Sequence, residues 1–337
     1  MERNWVLTFV VYFAVFSLIV IVGMVSVRLI THQTDTAPTV TPSLASSSAP
    51  EELPKITPEE TKQNANAQNP VPPTPTKPFS FVVLADAEDY GVPSGHNAIL
   101  EHMLASGAAQ KPTFAIFSGD LITMPDTLPS RITNLLALLN RHYPTYYIAF
   151  GKHDIECGNQ CVDVWNKLFF HIKNPTKKDR ILYHSFDHEN THFVLLSSDY
   201  PLKHGVDDAQ LAWLDDDLTK TDKENIIVVS HVPPINFYKE STETCHDMTC
   251  DEARRMRLQN ILAKHHVDLV LSGHEHTFDH RIVDNVVYIL AGNVGNGKRY
   301  KNTLWQSSFL YITIDGPHIT LKLLDENGNA LQQKPIK

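Results

Sequence analysis

After Pro78 the chain repeats one pattern, and that repetition limits its fold more than any other feature does. Phe79 to Ala85, Thr113 to Ser118, Thr145 to Phe150, Asn225 to Ser230 and Val267 to Ser272 are short, apolar and bounded by turn residues, as buried strands are. Between them, Ala98 to Ala105, Ser130 to Arg141, Ala209 to Leu218 and Ala253 to His265 carry apolar positions at helical spacing. Strands alternating with helices predict an α/β sheet with parallel crossovers. Further strand-like runs, Ile181 to Phe186, His192 to Ser197, Val286 to Ala291, Phe309 to Ile314 and His318 to Leu324, predict a second sheet with hairpins.

Each of the first five runs ends in a group that can hold a cation. Asp86 ends the first, Gly119 and Asp120 the second, and Gly151, Lys152, His153 and Asp154 the third. His231 ends the fourth, and Gly273, His274, Glu275 and His276 the fifth. Ligands of open α/β sheets bind outside the carboxyl ends of the strands, so these groups should converge despite their separation in sequence. Singly they carry little information. A lone Asp at a strand end is most often a turn residue or helix cap, and His265 and His266, at a helix end, are expected to be structural. As an ordered set, they have the composition of a metal site built from carboxylates and imidazoles, without thiolate.

In that order, Asp86, then Gly119-Asp120, then Gly151-Lys152-His153-Asp154, then His231-Val232-Pro233-Pro234, then Gly273-His274-Glu275-His276, the chain resembles the calcineurin-like metallophosphoesterases. The resemblance spans about residues 79 to 330 and includes the helix bearing Gln210, Trp213 and Leu214. It implies two packed mixed β-sheets flanked by helices, and hydrolysis of a phosphomonoester or phosphodiester by two metal ions bridged by an Asp and a hydroxide. Carried over residue by residue, it implies Asp86 and His276 at the first metal, Asp120 as the bridge, and His231 and His274 at the second metal. His153, held by Asp154, would contact the phosphate or protonate the leaving group. The residue types suit that chemistry. Paired dications activate water and stabilise both oxygens of an in-line displacement, and a His oriented by a carboxylate is a fitting general acid near neutral pH.

The chain departs from the family pattern at two ligand positions. Where the family has Asp, any residue, His, this chain has Asp86, Ala87 and Glu88; where the family has Gly-Asn-His-Asp, it has Lys152 in place of the Asn. Glu88 can still ligate, and makes a harder donor set that favours Mn or Mg over Zn among the divalent metals (Mn, Fe, Zn or Mg) the resemblance implies. Lys152 cannot ligate while protonated, and an ammonium about 4 Å from a dication costs roughly 8 kcal/mol at an effective dielectric of 20. One metal is therefore expected to be held firmly and the second weakly. The two changes exchange two neutral ligands for one anion and one cation, which predicts that Glu88 and Lys152 face each other within about 4 Å, or are joined through a phosphate or metal-bound water. The tyrosine of purple acid phosphatases is also replaced, by Thr123.

The rest of the chain bears on where such a site would work. Trp5 to Val27 contains no charged side chain, about the roughly 20 apolar residues a helix needs to span a bilayer. The segment 5–30 is therefore expected to be a single transmembrane signal anchor, with cleaved secretion as the alternative. Residues 31–78 hold ten of the 21 prolines and no Phe, Tyr or Trp, the composition of a disordered tether. The four cysteines form two close pairs, Cys157 with Cys161 and Cys245 with Cys250; local disulfides in an oxidising compartment are preferred over cross-pairing or a zinc site. A net charge of -9 argues against nucleic acid as a partner. The sequence thus predicts a single-pass, extracytoplasmic, membrane-tethered phosphoesterase domain at 79–330 acting on a phosphate ester. The alternative is a pseudoenzyme that binds phosphate or a partner.

Overall fold

The computed structural model describes residues 77–88, 98–123, 128–173, 175–176, 178, 180–237, 248–292, 294 and 307–337. Among these, twelve strands form two six-stranded mixed sheets. The first sheet runs β12 (Ala330–Pro335), β11 (His318–Asp325), β10 (Ser308–Asp315), β1 (Phe79–Leu84), β2 (Phe114–Phe117), β3 (Tyr146–Ile148). The second runs β4 (His184–His188), β5 (Thr191–Leu195), β6 (Asn225–Val229), β7 (Leu269–Ser272), β9 (Val286–Ala291), β8 (Phe278–Val283). Within each sheet the parallel strands lie side by side, β1-β2-β3 and β5-β6-β7-β9, with antiparallel pairs at the flanks.

Side-chain alternation explains why the sheets stack. In β1, Phe81 and Val83 point into the layer between the sheets, where they meet Phe114, Ile116, Phe193, Leu195, Leu269 and Leu271. Val82 and Leu84 point the other way and pack under helices α1 (Ala98–Ala109), α2 (Leu128–His142) and α3 (Asn159–Leu168), with Met103, Leu139 and Trp165. The second sheet does the same: Val228 and Val270 face α4 (Asp208–Lys220) and α5 (Glu252–Lys264) through Leu211, Leu214, Leu258 and Leu262. Strands buried on both faces have to read as near-continuous apolar runs. Helices α4 and α5 start where short acidic side chains cap them: Asp207 accepts from Gln210 N–H (2.9 Å) and Asp251 from Arg254 N–H (3.0 Å).

Three expectations need correction. The five ligand-bearing strands do not share one sheet, because β1, β2 and β3 lie in the first and β6 and β7 in the second. Strand partners are set by long-range pairing such as Phe79 with Ile314, which local periodicity does not encode. The strand expected at Ile181 to Phe186 is shifted to His184–His188, in register with Thr191–Leu195. Helix α3 and strands β8 and β12 were not anticipated. The last two are edge strands with mostly exposed or half-buried residues, so no apolar run marks them. Helix α3 shows its apolar spacing only in Cys161, Val162, Trp165 and Leu168, behind a polar first turn. Among the described residues no helix is long and apolar enough to cross a membrane. The expected anchor at 5–30 and the tether, but for residues 77 and 78, lie outside them.

Candidate metal centre

The carboxyl ends of β1, β2, β3, β6 and β7 are drawn together by backbone bonds that run on past the strands. Asp86 N–H donates to Gly119 O (3.1 Å), Glu88 N–H to Asp120 O (3.1 Å) and Gly273 N–H to His231 O (3.0 Å). The turns they build are tight. Asp86, Asp120, His274 and His276 all have φ between 51° and 73°, a left-handed conformation that non-glycine residues rarely adopt and that clusters at functional sites. Two glycines make room for them: a Cβ on Gly119 would strike the His231 ring and Gly151 N, and one on Gly151 would strike the Asp120 carboxylate.

Two groups of donor atoms share Asp120. In one, the atoms of Asp86, Asp120 and His231 lie within 4.8 Å of one another; in the other, those of Glu88, Asp120 and His153 do. His231 Nδ1–H donates to Ser118 O at 2.8 Å, which turns Nε2 toward Asp120 Oδ2, 3.0 Å away; a second hydrogen bond that fixes the ring in this way is typical of ligating histidines. His276 Nε2 stands 3.8 Å from Asp86 Oδ1 and 3.5 Å from Glu88 Oε1. The His274 ring lies 5.4 Å from that of His231, and its backbone N–H donates to Asp86 Oδ1 (2.9 Å).

Two relationships differ from expectation. Asp154 does not hold the His153 ring. Its buried carboxylate accepts the backbone N–H groups of Asp120 (2.8 Å), Leu121 (2.9 Å), Ile122 (3.2 Å) and Gly151 (3.0 Å), so it ties the second turn to the third. The ring of His153 lies between Glu88 (Nε2 to Oε1, 3.3 Å) and Glu156 (Nδ1 to Oε1, 3.0 Å). Nor does Glu88 form an ion pair with Lys152: its neighbours are His153 and His276. Lys152 is half-buried at the N-cap of the one-turn helix His153–Ile155. There its own backbone carbonyl accepts from Ile155 N–H (3.2 Å), while the buried Glu88 is already engaged by two imidazoles.

The electrostatics explain what this arrangement lacks. Burial pushes the Asp86 carboxyl up to about 6, against the pull of His276 and His231. Burial, reinforced by Asp120, pushes Asp154 up to about 7. Burial also opposes ionisation of Asp120, yet His231 beside it holds its carboxyl well below the ordinary carboxylate range. His231 itself is raised well above 6.5, because Asp120 outweighs the cost of burial. Asp86 Oδ2 and Glu88 Oε2 are buried with no hydrogen-bond partner among the described residues. Buried carboxylate oxygens without donors are costly, and a cation would satisfy them. The oxygen and imidazole donor set therefore fits a divalent metal.

Three further residues, Asp199, His204 and Glu156, border this region without standing out in the sequence. Asp199 and His204 are buried; the His204 ring lies 5.1 Å from that of His274, and Asp199 Oδ1 lies 3.7 Å from His204 Nε2. The signal is present, since β5 too ends in an acid, along Ser197, Ser198 and Asp199. It is weak, because that run reads equally well as a hairpin strand. Glu156, the third, lies three residues after His153. Close behind it, Cys157 and Cys161 form the expected disulfide, with Cα atoms 5.3 Å apart. The pair expected between Cys245 and Cys250 involves Cys245, which lies outside the described residues.

The comparisons with known proteins agree with this fold. The profile of the calcineurin-like phosphoesterases matches residues 79–278. Purple acid phosphatase 23 of Arabidopsis thaliana is 25% identical over 264 residues, covering 66% of this chain and 55% of that protein, so the chain spans about half the length of this relative. A purple acid phosphatase from yellow lupin seeds superposes with a TM-score of 0.59 at 15% identity, over 77% of this chain and 54% of that one. GAP50, described as the anchor in the inner membrane complex of Plasmodium, superposes with a TM-score of 0.53 at 16% identity, over 77% and 88% of the two chains. At these identities the two structures speak for the fold alone.

Proposed function

The chain belongs to the calcineurin-like phosphoesterase family, and from that premise we propose that it is a metal-dependent phosphoesterase with an altered metal site, tethered to a membrane by its N-terminal segment. Its relatives support a phosphoric ester hydrolase in general. The observation that carries the reading is the pair of donor groups meeting at Asp120, with unsatisfied buried carboxylate oxygens on Asp86 and Glu88. In this reading Asp86, Glu88, Asp120, His231, His274 and His276 hold the metal. Divalent metal, once bound, polarises a phosphoryl oxygen and lowers the pKa of water.

The protein's own groups do the rest. Asp154 keeps the Asp120 turn in place through four backbone N–H groups, and Glu156 and Glu88 fix the ring plane of His153. In this reading His153, its ring held between Glu156 and Glu88, delivers the proton to the leaving oxygen as an oriented general acid. Lys152 supplies positive charge beside a site of buried acids, where it can meet a phosphate oxygen as a point charge. The long apolar N-terminal run and the Pro-rich segment after it support membrane tethering, and the disulfide supports an oxidising compartment on the far side.

A second reading is favoured by one observation: Lys152 occupies a position where the family places a neutral ligand. In that reading the chain binds phosphate or a partner without turnover. One experiment separates the two. The purified protein is assayed for phosphatase and phosphodiesterase activity with p-nitrophenyl esters and added Mn, Fe, Zn or Mg, alongside elemental analysis. Metal-dependent turnover lost in His153→Ala supports the enzyme; phosphate binding without turnover in any metal supports the second reading.

A further inference from the structure

A cavity of about 140 Å³ lies between the loop 202–206 and the first turns of α5, and it shares His204 with the metal centre. It is smaller than the roughly 300–1,000 Å³ that encloses a whole ligand, so it has room for one small group. Its charged lining is Lys203, Arg254 and Arg255 against Asp251. Arg254 is committed to Asp251 and to Asp208 (3.4 Å). Arg255 is not: its Nη2 reaches only the exposed Glu252, at 3.3 Å, and its Nε is buried with no hydrogen-bond partner among the described residues. The Arg255 side chain is 17% exposed. A buried guanidinium N–H without an acceptor is rare in native structures and marks a place where one is missing. Lys203, exposed at the rim, adds an ammonium that forms no ion pair with any described residue.

The loop that carries His204 is tied down by hydrogen bonds. Gly205 N–H donates to Ser198 O (2.6 Å), His204 N–H to Asp199 Oδ1 (3.3 Å), and Ser198 Oγ accepts from Val232 N–H (3.0 Å), next to His231. The cavity and the metal centre therefore adjoin at His204, which lines the cavity and whose ring lies 5.1 Å from that of His274. We propose that the cavity is a subsite for a second anionic group of the substrate, a phosphate or a carboxylate. The preferred substrates are then phosphate esters that carry a further anion a few bonds from the scissile phosphate. The inference rests on the phosphoesterase reading. Arg255 would present its Nε–H to an oxyanion oxygen, and Lys203 would add charge at the mouth.

The test uses the full chain with added Mn and three small esters: propyl phosphate, propane-1,3-diol bisphosphate and the phosphate ester of 3-hydroxypropanoate. Both doubly anionic esters should show a KM about tenfold lower than propyl phosphate, and whichever is lower identifies the second group as phosphate or carboxylate. Arg255→Gln should raise those two KM values about tenfold, leaving kcat and all constants for propyl phosphate within twofold, the pattern of lost binding without lost chemistry. Lys203→Met, a change at an exposed side chain, should do the same to a smaller extent and carries the test if Arg255→Gln does not fold. Equal KM values for the three esters would overturn the proposal, as would a rise in KM for propyl phosphate equal to that for the others. If no ester is hydrolysed in any metal, the phosphoesterase reading fails by itself. Calorimetric titration with the bisphosphate then decides the subsite: tenfold weaker binding in Arg255→Gln keeps it, and equal binding removes it.

Discussion

His231 and His184 both lose water on folding, and the fold drives them in opposite directions. His184, on β4, sits in an aromatic corner, its ring 6.2 Å from that of Tyr147 and 5.6 Å from that of Phe170. Its Nδ1 is buried without a partner among the described residues, and burial lowers its pKa to about 4. His231, at the end of β6, is more deeply buried still, yet Asp120, Asp86 and Asp199 raise its pKa well above 6.5. Burial opposes charge in both places. What differs is that the crevice gathers carboxylates, which lower the cost of a positive charge on His231. A site that stabilises a proton so strongly on His231 is a site prepared for a cation.

The most direct way to break that contrast is to remove the carboxylate common to both donor groups. Asp120→Ala should abolish metal retention and reduce any phosphoesterase activity by a factor of about 10³ or more, the scale expected when a charge-stabilising group is lost. Elemental analysis after dialysis and single-substrate kinetics measure both. Full activity in this variant would separate the crevice from the chemistry altogether.

Next in size is Asp154→Ala. It strips the acceptor from four backbone N–H groups at once, and unsatisfied buried donors cost about 1–3 kcal/mol each, without full additivity. A loss of about 3 kcal/mol or more in urea unfolding is expected. Glu156→Gln should leave stability within about 0.5 kcal/mol, as surface substitutions usually do, and should act on turnover through the His153 ring. If the two variants behaved alike in stability, Asp154 would have no special part in holding the turns.

The residues that carry these contrasts were not equally visible in the sequence. Asp86, Asp120, His231, His274 and His276 could be read as one set because each follows a locally detectable apolar strand, and strand ends in an α/β fold share one edge. The division of those strands between two sheets could not, since it depends on pairings such as β1 with β10 across more than two hundred residues. Glu88 and Lys152 were visible as exceptions, but their relation was not: charge balance suggested a pair, whereas the folded chain gives Glu88 to His153 and His276. Asp199 and His204 do not stand out because the strand before them follows another strand and no helix, as in a hairpin, where a terminal acid reads as a turn residue.

Lys152 is the third place to press. With no ion pair to Glu88, its charge acts on a bound metal through space. Lys152→Asn should strengthen binding of a second divalent ion on the order of 100-fold, on Coulomb estimates at an effective dielectric near 20 and a separation beyond contact. Since Glu88 and Lys152 share no direct contact, Glu88→His and Lys152→Asn should combine additively to within about 0.5 kcal/mol in metal affinity. Calorimetric titration with Mn checks both. A strong positive coupling would restore a joint role for the two residues, through a phosphate or a water.

The smallest effect belongs to His184, and it tests the other half of the contrast without touching the crevice. Its folded pKa of about 4 lies below the ordinary 6.5, so between these values the unfolded chain binds more protons than the folded one. Stability contributed by keeping this ring neutral is complete above about pH 6.5 and declines as the pH falls toward 4. Allowing for partial exposure of the ring, the loss between pH 7 and pH 5 should be about 1–2 kcal/mol. His184→Phe keeps an aromatic ring against Tyr147 and Phe170 and removes the titrating group, so urea unfolding of this variant should lose that part of the acid sensitivity. Carboxylates elsewhere in the chain titrate over the same range and affect both proteins alike, so the measurement is the difference between their two stability curves. That difference should be nearly flat above pH 7 and move in favour of the variant as the pH drops. If the curves instead stayed parallel from pH 7 to pH 5, His184 would be hydrated in solution, and burial alone would not be what separates it from His231.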